Sequence, residues 1–513
     1  MMHCSTQLQP FSTTTHAATR SSIGDTAVLR ASAIAERTVA EPESLPSIAS
    51  AADEVASRLY AHAVQPALFE DLWGAIAEFL PGVDVLNLRT TSHDMVDWLD
   101  PTMTSFKASG DRTPQMLAAL ANAAHLHNIK KLSIYLCNQE NFPAIITGLA
   151  GFPLEKIDVT LMRHRCHGAP LDHVGLALLR EIRPASLEVG DLDRGTFSCA
   201  EVQGFAALDY PISLRADCYH YRREHEAELR ALATIPQLTK LLVSCDIFSD
   251  AVAQVFQAHI GLRVLHLTPT SAGSGTLCLS NAAIAALASN ATLRQLHIGE
   301  TLEVPGAEGI AALAANGTLE ELCVGTPYRP VEIEDVMVLS TNATLKQLQI
   351  GAKGGWGRLA RIASLERLDV QVAFVSLDDA REFAQYAHLN EMRLTETAEF
   401  QAGSLAIVAS SDIRRLSIVC GRLSAQDIDA LLSNKGLRFL RLETTSPFTE
   451  TVMHAIALAH HPTLEALVMQ HVPSRAMTPA SHAEANVMME VHRMAMFAAW
   501  GPDRPRSTLT VNF

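Results

Sequence analysis

A few groups of residues carry the side chains of metal, phosphate-binding or catalytic sites, but each group lacks a required member. His164, Cys166 and His167 could ligate zinc, yet a fourth ligand at a plausible spacing is missing. The glycine-rich segment 351–357 lacks the Gly-Lys-Ser/Thr ending that a phosphate-binding loop requires. No Ser/His/Asp or Cys/His set can be assembled from the sequence. We therefore expect a chain without an active site, a metal or a cofactor of its own.

The composition narrows the class of partner. Of the 513 residues, 48% are hydrophobic, which is enough for a large core, and the formal net charge is −15. Because an acidic surface repels phosphate backbones, a nucleic acid is not expected as a partner. Apolar runs stay well below the roughly eighteen residues that cross a bilayer, so no membrane partner is expected either.

The nine cysteines indicate a reducing compartment. They are scattered, odd in number and form no Cys-x-x-Cys pair, whereas a disulfide framework or a structural zinc site would cluster them. Cys137, Cys245 and Cys323 fall in or just after strand-like segments, where a free thiol packs as a small hydrophobic side chain.

An internal repeat is the strongest pattern in the chain. Asn290, Asn316 and Asn342 each begin a segment of the form Asn-x-Thr-Leu-x-x-Leu-x-Ile/Val-Gly, and successive segments are 26 residues apart. Leu-x-x-Leu-x-Ile/Val is the strand signature of a leucine-rich repeat, and the apolar stretches at 282–288 and 306–314 fit short helices. Since these asparagines recur at the repeat period, we expect them at the turn from helix to strand.

Weaker copies extend the repeat in both directions, with periods between 20 and 31 residues and about fourteen units in all. Because Leu348 and Leu368 are only 20 residues apart, segment 351–357 is expected to replace the helix of a short repeat. The predicted fold is α/β, a leucine-rich-repeat solenoid over residues 111–470 with a curved parallel sheet and helices outside. A small all-helical segment at 61–110 precedes it, and a cap and tail at 471–513 follow it.

The helical segment before the repeats does not share their pattern. A stripe of apolar residues four apart is followed directly by a second apolar set, after Pro81-Gly82 ends the first helix. These residues are Leu68, Leu72, Ile76 and Leu80, then Leu86 and Leu88. Three short helices in about 35 residues cannot bury this surface alone. Two interpretations remain open, a docking surface for a partner or a cap that covers the first repeat.

The segment also resembles an F-box, the motif that docks on a Skp-family adaptor of a cullin–RING ubiquitin ligase. The resemblance rests on the order of Leu68, Leu72, Ile76, Leu80, Asp84, Leu86, Leu88, Ser92 and Val96. The repeats resemble those of the GALA effectors, F-box/leucine-rich-repeat proteins that plant-pathogenic bacteria inject into host cells. Their helices have the form GAxALA, matched here within residues 306–314, and the resemblance covers residues from about 65 to 470.

This resemblance implies the substrate receptor of an SCF-type (Skp–cullin–F-box) ligase. The F-box would recruit the adaptor through Leu68, Leu72, Ile76, Leu80, Leu86 and Leu88, the repeats would hold a host target protein, and partners would transfer the ubiquitin.

The start of the chain, residues 1–60, is rich in Ser and Thr and has no acidic residue before Asp25. It is expected to be a type III export leader that leads to the host cytoplasm or nucleus. A mitochondrial transit peptide fits less well, because such peptides are rich in Arg and Arg20 is the only Lys or Arg among the first 24 residues.

Target recognition is expected on the concave face, where alternate strand residues point outward. The candidates are His266, His297, Arg367, Asp369, Arg393, Phe439 and Arg441.

The alternative function is a stand-alone module that masks a partner without ubiquitination. A ligase with its own catalytic cysteine is disfavoured, since the last cysteine, Cys420, lies inside a repeat strand.

Overall fold

The computed structural model describes residues 105–109, 130–136, 154–161, 173–191, 197, 199–221, 226–269, 277–299, 305–326, 329–386, 388–397, 399–420, 423–444, 454, 458–471 and 509–512. All of them belong to the compact unit of residues 77–513. The predicted leader lies outside the described residues. So do the candidate adaptor-binding residues Leu68, Leu72, Ile76, Leu80, Leu86 and Leu88, and the possible zinc ligands His164, Cys166 and His167.

A large sheet of sixteen parallel strands runs through the described structure. In spatial order its strands are β1 (Ser105–Ser109), β2 (Lys131–Leu136), β3 (Lys156–Leu161), β4 (Ser186–Asp191), β5 (Ile212–Tyr221), β6 (Leu238–Cys245), β8 (Val264–Thr268), β10 (Gln295–Ile298), β11 (Glu321–Val324), β12 (Gln347–Gly351), β13 (Arg367–Gln371), β15 (Glu391–Thr397), β17 (Arg415–Cys420), β18 (Phe439–Thr444), β19 (Ala466–His471) and β20 (Leu509–Asn512). Neighbours in the sheet are therefore neighbours along the chain.

Short helices connect many of these strands. They are α1 (His173–Ile182), α2 (Cys199–Ala206), α3 (Glu226–Leu232), α4 (Asp250–Gln257), α5 (Asn281–Ala288), α6 (Ala307–Ala315), α7 (Ile333–Leu339), α8 (Leu377–Ala384), α9 (Ser404–Ala409) and α10 (Ala425–Ser433). Two small parallel sheets precede some of them, β7 (Ile247–Phe248) with β9 (Cys278–Leu279), and β14 (Phe374–Val375) with β16 (Glu399–Phe400). Repeated strand–helix units around one parallel sheet make the chain an α/β leucine-rich-repeat solenoid, as the sequence predicted.

The core lies between the sheet and the helices because both elements turn one apolar side inward. In β10 the buried residues are Leu296 and Ile298, which alternate with more exposed positions as the two-residue period of a strand requires. In α6 the buried Ile310 and Leu313 are three residues apart. Gly309 lets α6 approach α5, since a Cβ at this position would lie 2.9 Å from Asn281 Oδ1. The glycine of this helix therefore serves close packing.

The repeated asparagines close the turn between each helix and the next strand. The Asn342 amide donates to the carbonyls of Ala314 and Asn316 at 3.1 and 3.0 Å. Its oxygen accepts from the backbone N–H groups of Thr344 and Leu345 at 2.8 and 2.9 Å. Asn290 and Asn316 are bound in the same way. The predicted turn position is therefore confirmed, and each buried amide joins two successive units.

The same position is occupied in other units by residues that the sequence repeat did not reveal. Asn434 accepts from Gly436 and Leu437 in the manner of Asn342. In His259 the imidazole takes the role of the amide, since Nδ1 accepts from the N–H of Leu262 at 2.9 Å and Nε2 contacts the carbonyl of Ile235 at 2.8 Å. His461 makes the corresponding contacts. This pattern requires a neutral imidazole with its proton on Nε2.

The short unit between β12 and β13 contains a 3-10 helix, Trp356–Arg361, in place of an α-helix. This confirms the structural interpretation of segment 351–357. Trp356 is fully buried, with its ring centroid 5.7 Å from that of Phe383. Gly357 is needed for close approach, because a Cβ there would lie 2.1 Å from the backbone oxygen of Asp379.

The sheet extends beyond the predicted solenoid range, residues 111–470, at both ends. Strand β1 lies within the range assigned to the all-helical segment at 61–110, yet it pairs in parallel with β2. Strand β20 lies within the predicted tail and pairs with β19. The sheet therefore has one more strand at each end than the fourteen predicted units supply.

We expect Asn342→Ala to lower the free energy of unfolding by roughly 2–4 kcal/mol, because buried backbone groups lose their partners. Asn342→His should retain part of this stability, since His259 and His461 fill the same position in other units. Denaturant titration measures both effects. The control is Asn390→Ala, at an exposed asparagine whose hydrogen bonds are made by its backbone. Equal losses in the two alanine variants would show that the buried amide has no special role.

Candidate functional site

The candidate site is the surface of the sheet opposite the helices, which we call the strand face. Between β8 and β19 its side chains form two continuous rows. The first row contains Val264, Gln295, Glu321, Gln347, Arg367, Glu391, Arg415, Phe439 and Ala466. The second contains His266, His297, Cys323, Gln349, Asp369, Arg393, Ser417, Arg441 and Val468.

All seven residues predicted on the concave face lie in these rows. Their placement follows from the alternation in each strand, since the core residues Leu368 and Val370 flank Asp369 and are fully buried. The structure groups the seven into a histidine pair on β8 and β10, and a charged group between β13 and β18. Their role in binding a target stays a prediction.

The histidine pair lies in a part of the face with little charge. The rings of His266 and His297 are 5.1 Å apart between centroids, with Leu242 paired in register with His266 on the neighbouring strand. Burial lowers the pKa of His266 to about 4, with smaller contributions from His297 and Lys240. Burial also lowers the pKa of His297. Both rings are therefore neutral at physiological pH.

Cys323 on β11 continues the neutral side chains of the second row, in register with His297. Burial raises the pKa of its thiol to about 12, and the nearby Asp369 and Glu321 add to the shift. A thiol with this pKa is a poor nucleophile at neutral pH. We call Leu242, Val264, His266, His297 and Cys323 the neutral patch.

Charged residues dominate the face from β13 to β15. Arg367 pairs with Glu391 at 2.9 Å, and Arg393 lies 3.8 Å from Asp369. Thr395 donates its hydroxyl to Asp369 at 3.2 Å. Burial raises the pKa of Asp369 in spite of the opposing effect of Arg393. These pairs bridge adjacent strands and hold the long side chains across the face.

The arginines of β17 and β18 are held differently. Arg415 places its guanidinium 5.4 Å from the centre of the Phe439 ring, a cation–π contact. No ion pair of Arg415 occurs among the described residues. Arg441 pairs with Glu443 on its own strand at 2.6 Å. Ser417 lies between Arg393 and Arg441 in the second row, so a short side chain separates two arginine positions there.

A separate ladder of charges runs along the beginning of the strands, outside the two rows. Lys346 pairs with Glu320 at 2.7 Å, and Arg438 lies 3.6 Å from Glu465. These side chains are about half exposed, and pairs of this kind contribute little to stability. The edge arginines, among them Arg414, therefore serve as controls for those of the strand face.

A depression lies beside β7 and β9. It is lined by Ile247, Asp250, Cys278 and Ser280, among others, near the start of α4. Cys278 is exposed, unlike the buried Cys245, Cys323 and Cys420, and all four thiols are free. The residues that line the depression include no histidine, lysine or arginine that would favour the thiolate form of Cys278.

In the described part of the chain, no three His, Cys, Asp or Glu side chains are grouped as metal ligands. None of the helices described there has the length and apolar character that a bilayer span requires.

Comparison with known proteins gives distant structural similarity alone. No family model and no curated protein matches the chain. Similar solved structures include TLR13 in complex with ssRNA13, at a TM-score of 0.41 and 14% identity over 69% of this chain and 61% of that chain. Another is an LRR protein of Leptospira interrogans, at a TM-score of 0.34 and 12% identity over 71% and 89%. The chain thus spans less than two thirds of the TLR13 chain.

The histidine pair predicts a pH dependence of stability. Unfolding restores the ordinary pKa of His266, 6.5, so the unfolded chain takes up a proton between about pH 6.5 and 4 that the folded chain does not bind. The contribution of the neutral His266 side chain to the free energy of unfolding is therefore fully present above about pH 6.5. It is lost as the pH falls from about 6.5 to 4. Replacing His266 by Gln should flatten the profile of unfolding free energy against pH by about 1–2 kcal/mol across the window.

The measurement is denaturant unfolding at a series of pH values. His460→Gln is the control, because His460 is exposed and outside the strand face. An identical pH profile for wild type and His266→Gln would contradict the proposed burial of a neutral imidazole.

Proposed function

We propose that this chain is a protein-binding module whose strand face holds its target. The observation that carries the proposal is the pair of continuous rows from β8 to β19, in which neutral, charged and aromatic side chains alternate on one ordered sheet. Varied side chains on a rigid support suit recognition of one particular protein surface. The charges of neighbouring strands also pair with one another, which holds the side chains in position before a partner binds.

The finer form of the proposal is a substrate receptor of an SCF-type ubiquitin ligase. It is supported by the resemblance of residues 66–100 to an F-box and of the helix within 306–314 to the GALA repeats. In this role the F-box binds a Skp-family adaptor and the strand face binds a host protein. Tethering raises the effective concentration of target near the ligase, and the partners perform the transfer. The chain acts in the host cytoplasm or nucleus after delivery by a type III system.

The alternative is a module that masks its target without ubiquitination. In that case residues 66–100 cover the first repeat and bind no adaptor. The strand face has the same role in both proposals, so adaptor binding distinguishes them.

We expect Leu68→Ala with Leu72→Ala to abolish retention of a Skp-family adaptor. Loss of a central apolar anchor costs roughly 2 kcal/mol or more, a factor of about thirty in affinity. The measurement is a titration of purified adaptor against wild type and the double variant, with circular dichroism as the folding control. A wild-type chain that binds no adaptor at tens of micromolar would contradict the receptor role and leave the masking role.

We expect Arg367→Glu, Arg393→Glu and Arg441→Glu together to weaken target binding with little change in stability, since these side chains lie on the strand face. The target is the host protein that wild type retains from an extract, identified and then titrated in pure form. The matched control reverses Arg294, Arg414 and Arg438, which lie at the strand edge. If both triple variants bind the target as wild type does, the strand face is not the binding surface.

A further inference from the structure

Three arginines of the strand face occupy positions next to Ser417 in the register of the sheet, an arrangement that target binding in general does not explain. Arg393, Ser417 and Arg441 are in register on three adjacent strands, about 4.8 Å apart. Arg415 lies two residues before Ser417 on the same face of β17. Arg393 leans toward Asp369, Arg415 toward Phe439 and Arg441 toward Glu443. Each of these side chains is long enough to turn to the space above the serine hydroxyl when an anion binds there.

Among the described residues, Arg415 is the arginine of this group whose donors are least engaged. Its guanidinium is stacked on the Phe439 ring rather than paired with a carboxylate of the described residues. Stacking uses the face of the guanidinium group and leaves the N–H groups at its edge free for bidentate hydrogen bonds to an oxyanion. Arg393 is also incompletely used, since its nearest oxygen on Asp369 is 3.8 Å away, beyond hydrogen-bond distance.

The local charge contrasts with that of the whole chain. From β13 to β18 the strand face carries Arg367, Arg393, Arg415 and Arg441 against Asp369, Glu391 and Glu443, which leaves an excess of one positive charge. The chain as a whole carries −15. An anionic group therefore finds its favourable contacts at this place on the face.

An apolar surface borders the arginines on one side. Phe439 pairs in register with Ala466, and Arg441 pairs with Val468 on β19. The arrangement therefore offers oxyanion contacts and apolar contacts within one strand spacing. A carboxylate next to an apolar side chain, in a peptide segment, fits both.

We propose that Arg393, Arg415 and Arg441 bind an acidic segment of the target protein, with a carboxylate above Ser417 and an adjacent apolar side chain against Phe439 and Val468. This inference rests on the proposed function and names the chemistry of the partner. A protein segment is favoured over a nucleic acid because the interleaved carboxylates and the net charge of −15 repel an extended phosphate backbone.

The test is selection of phage-displayed random peptides on the full chain. We expect selected peptides to carry Asp or Glu next to an apolar residue. Selection on Arg393→Gln with Arg415→Gln should lose this preference, whereas Arg414→Gln with Arg438→Gln removes the same charge at the strand edge and should keep it. No acidic preference on the wild-type chain, or no enrichment at all, overturns the inference.

The affinity of one selected peptide for the wild-type chain and for each variant is then measured by fluorescence polarisation. We expect Arg415→Gln to weaken binding about tenfold and the double variant about a hundredfold. Replacing the peptide's Glu by Gln should weaken binding to wild type by a similar factor. A phosphoserine in place of the Glu distinguishes a phosphate from a carboxylate ligand. Stronger competition by a single-stranded oligonucleotide than by the acidic peptide would overturn the assignment to a protein partner.

Binding of the variants to the identified target distinguishes a failure of this inference from a failure of the proposed function. If Arg415→Gln leaves target affinity unchanged while substitutions in the neutral patch abolish it, the strand face binds protein and the acidic-segment assignment is wrong. If neither set of substitutions affects target binding, the proposed function itself fails.

Discussion

A buried asparagine or histidine side chain that closes the turn from helix to strand, as in the units from His259 to Asn342, is the interaction on which this part of the sheet depends. At Asn342 one amide reaches back to two carbonyls of the preceding turn and also binds the first N–H groups before the next strand. This sets the residue at which the strand begins. Because side chains alternate along a strand, a start displaced by one residue would turn Leu348 outward and Gln349 into the core. The turn therefore decides which residues form the strand face.

Most of the fold was predictable from the sequence because the units share one apolar spacing, and three successive units repeat this turn with the same asparagine. The two terminal strands were missed because they depart from the pattern. Strand β1 pairs Phe106 and Ala108 with Leu132 and Ile134 of its neighbour, so one of its two residues is a small alanine. The sequence before β20 has Arg506 at the spacing where the repeat has its first leucine. Histidines at the turn were missed for a different reason. An imidazole can replace an amide as both donor and acceptor, but the sequence does not show which of the 21 histidines do so.

The candidate site was predictable as a set of outward positions, whereas its chemistry was not. The contact between Arg415 and Phe439 joins residues 24 apart in sequence, and it depends on the register of two strands. The low pKa of His266 depends on burial and on a second histidine in the next strand. Periodicity places a residue on a face, but only the pairing of neighbouring strands shows whether an arginine is neutralised or free.

The distance between the two parts of the strand face limits the kind of partner that fits it. Five strand spacings separate His297 on β10 from Ser417 on β17, which amounts to about 24 Å at 4.8 Å per strand. An extended peptide needs about seven residues to cover this distance. One part offers neutral rings and a buried thiol, and the other offers guanidinium groups. A partner must therefore present an apolar contact and an anion at this separation to use both. Each part alone accepts many ligands, so selectivity arises from the fixed spacing that the in-register sheet imposes on the pair.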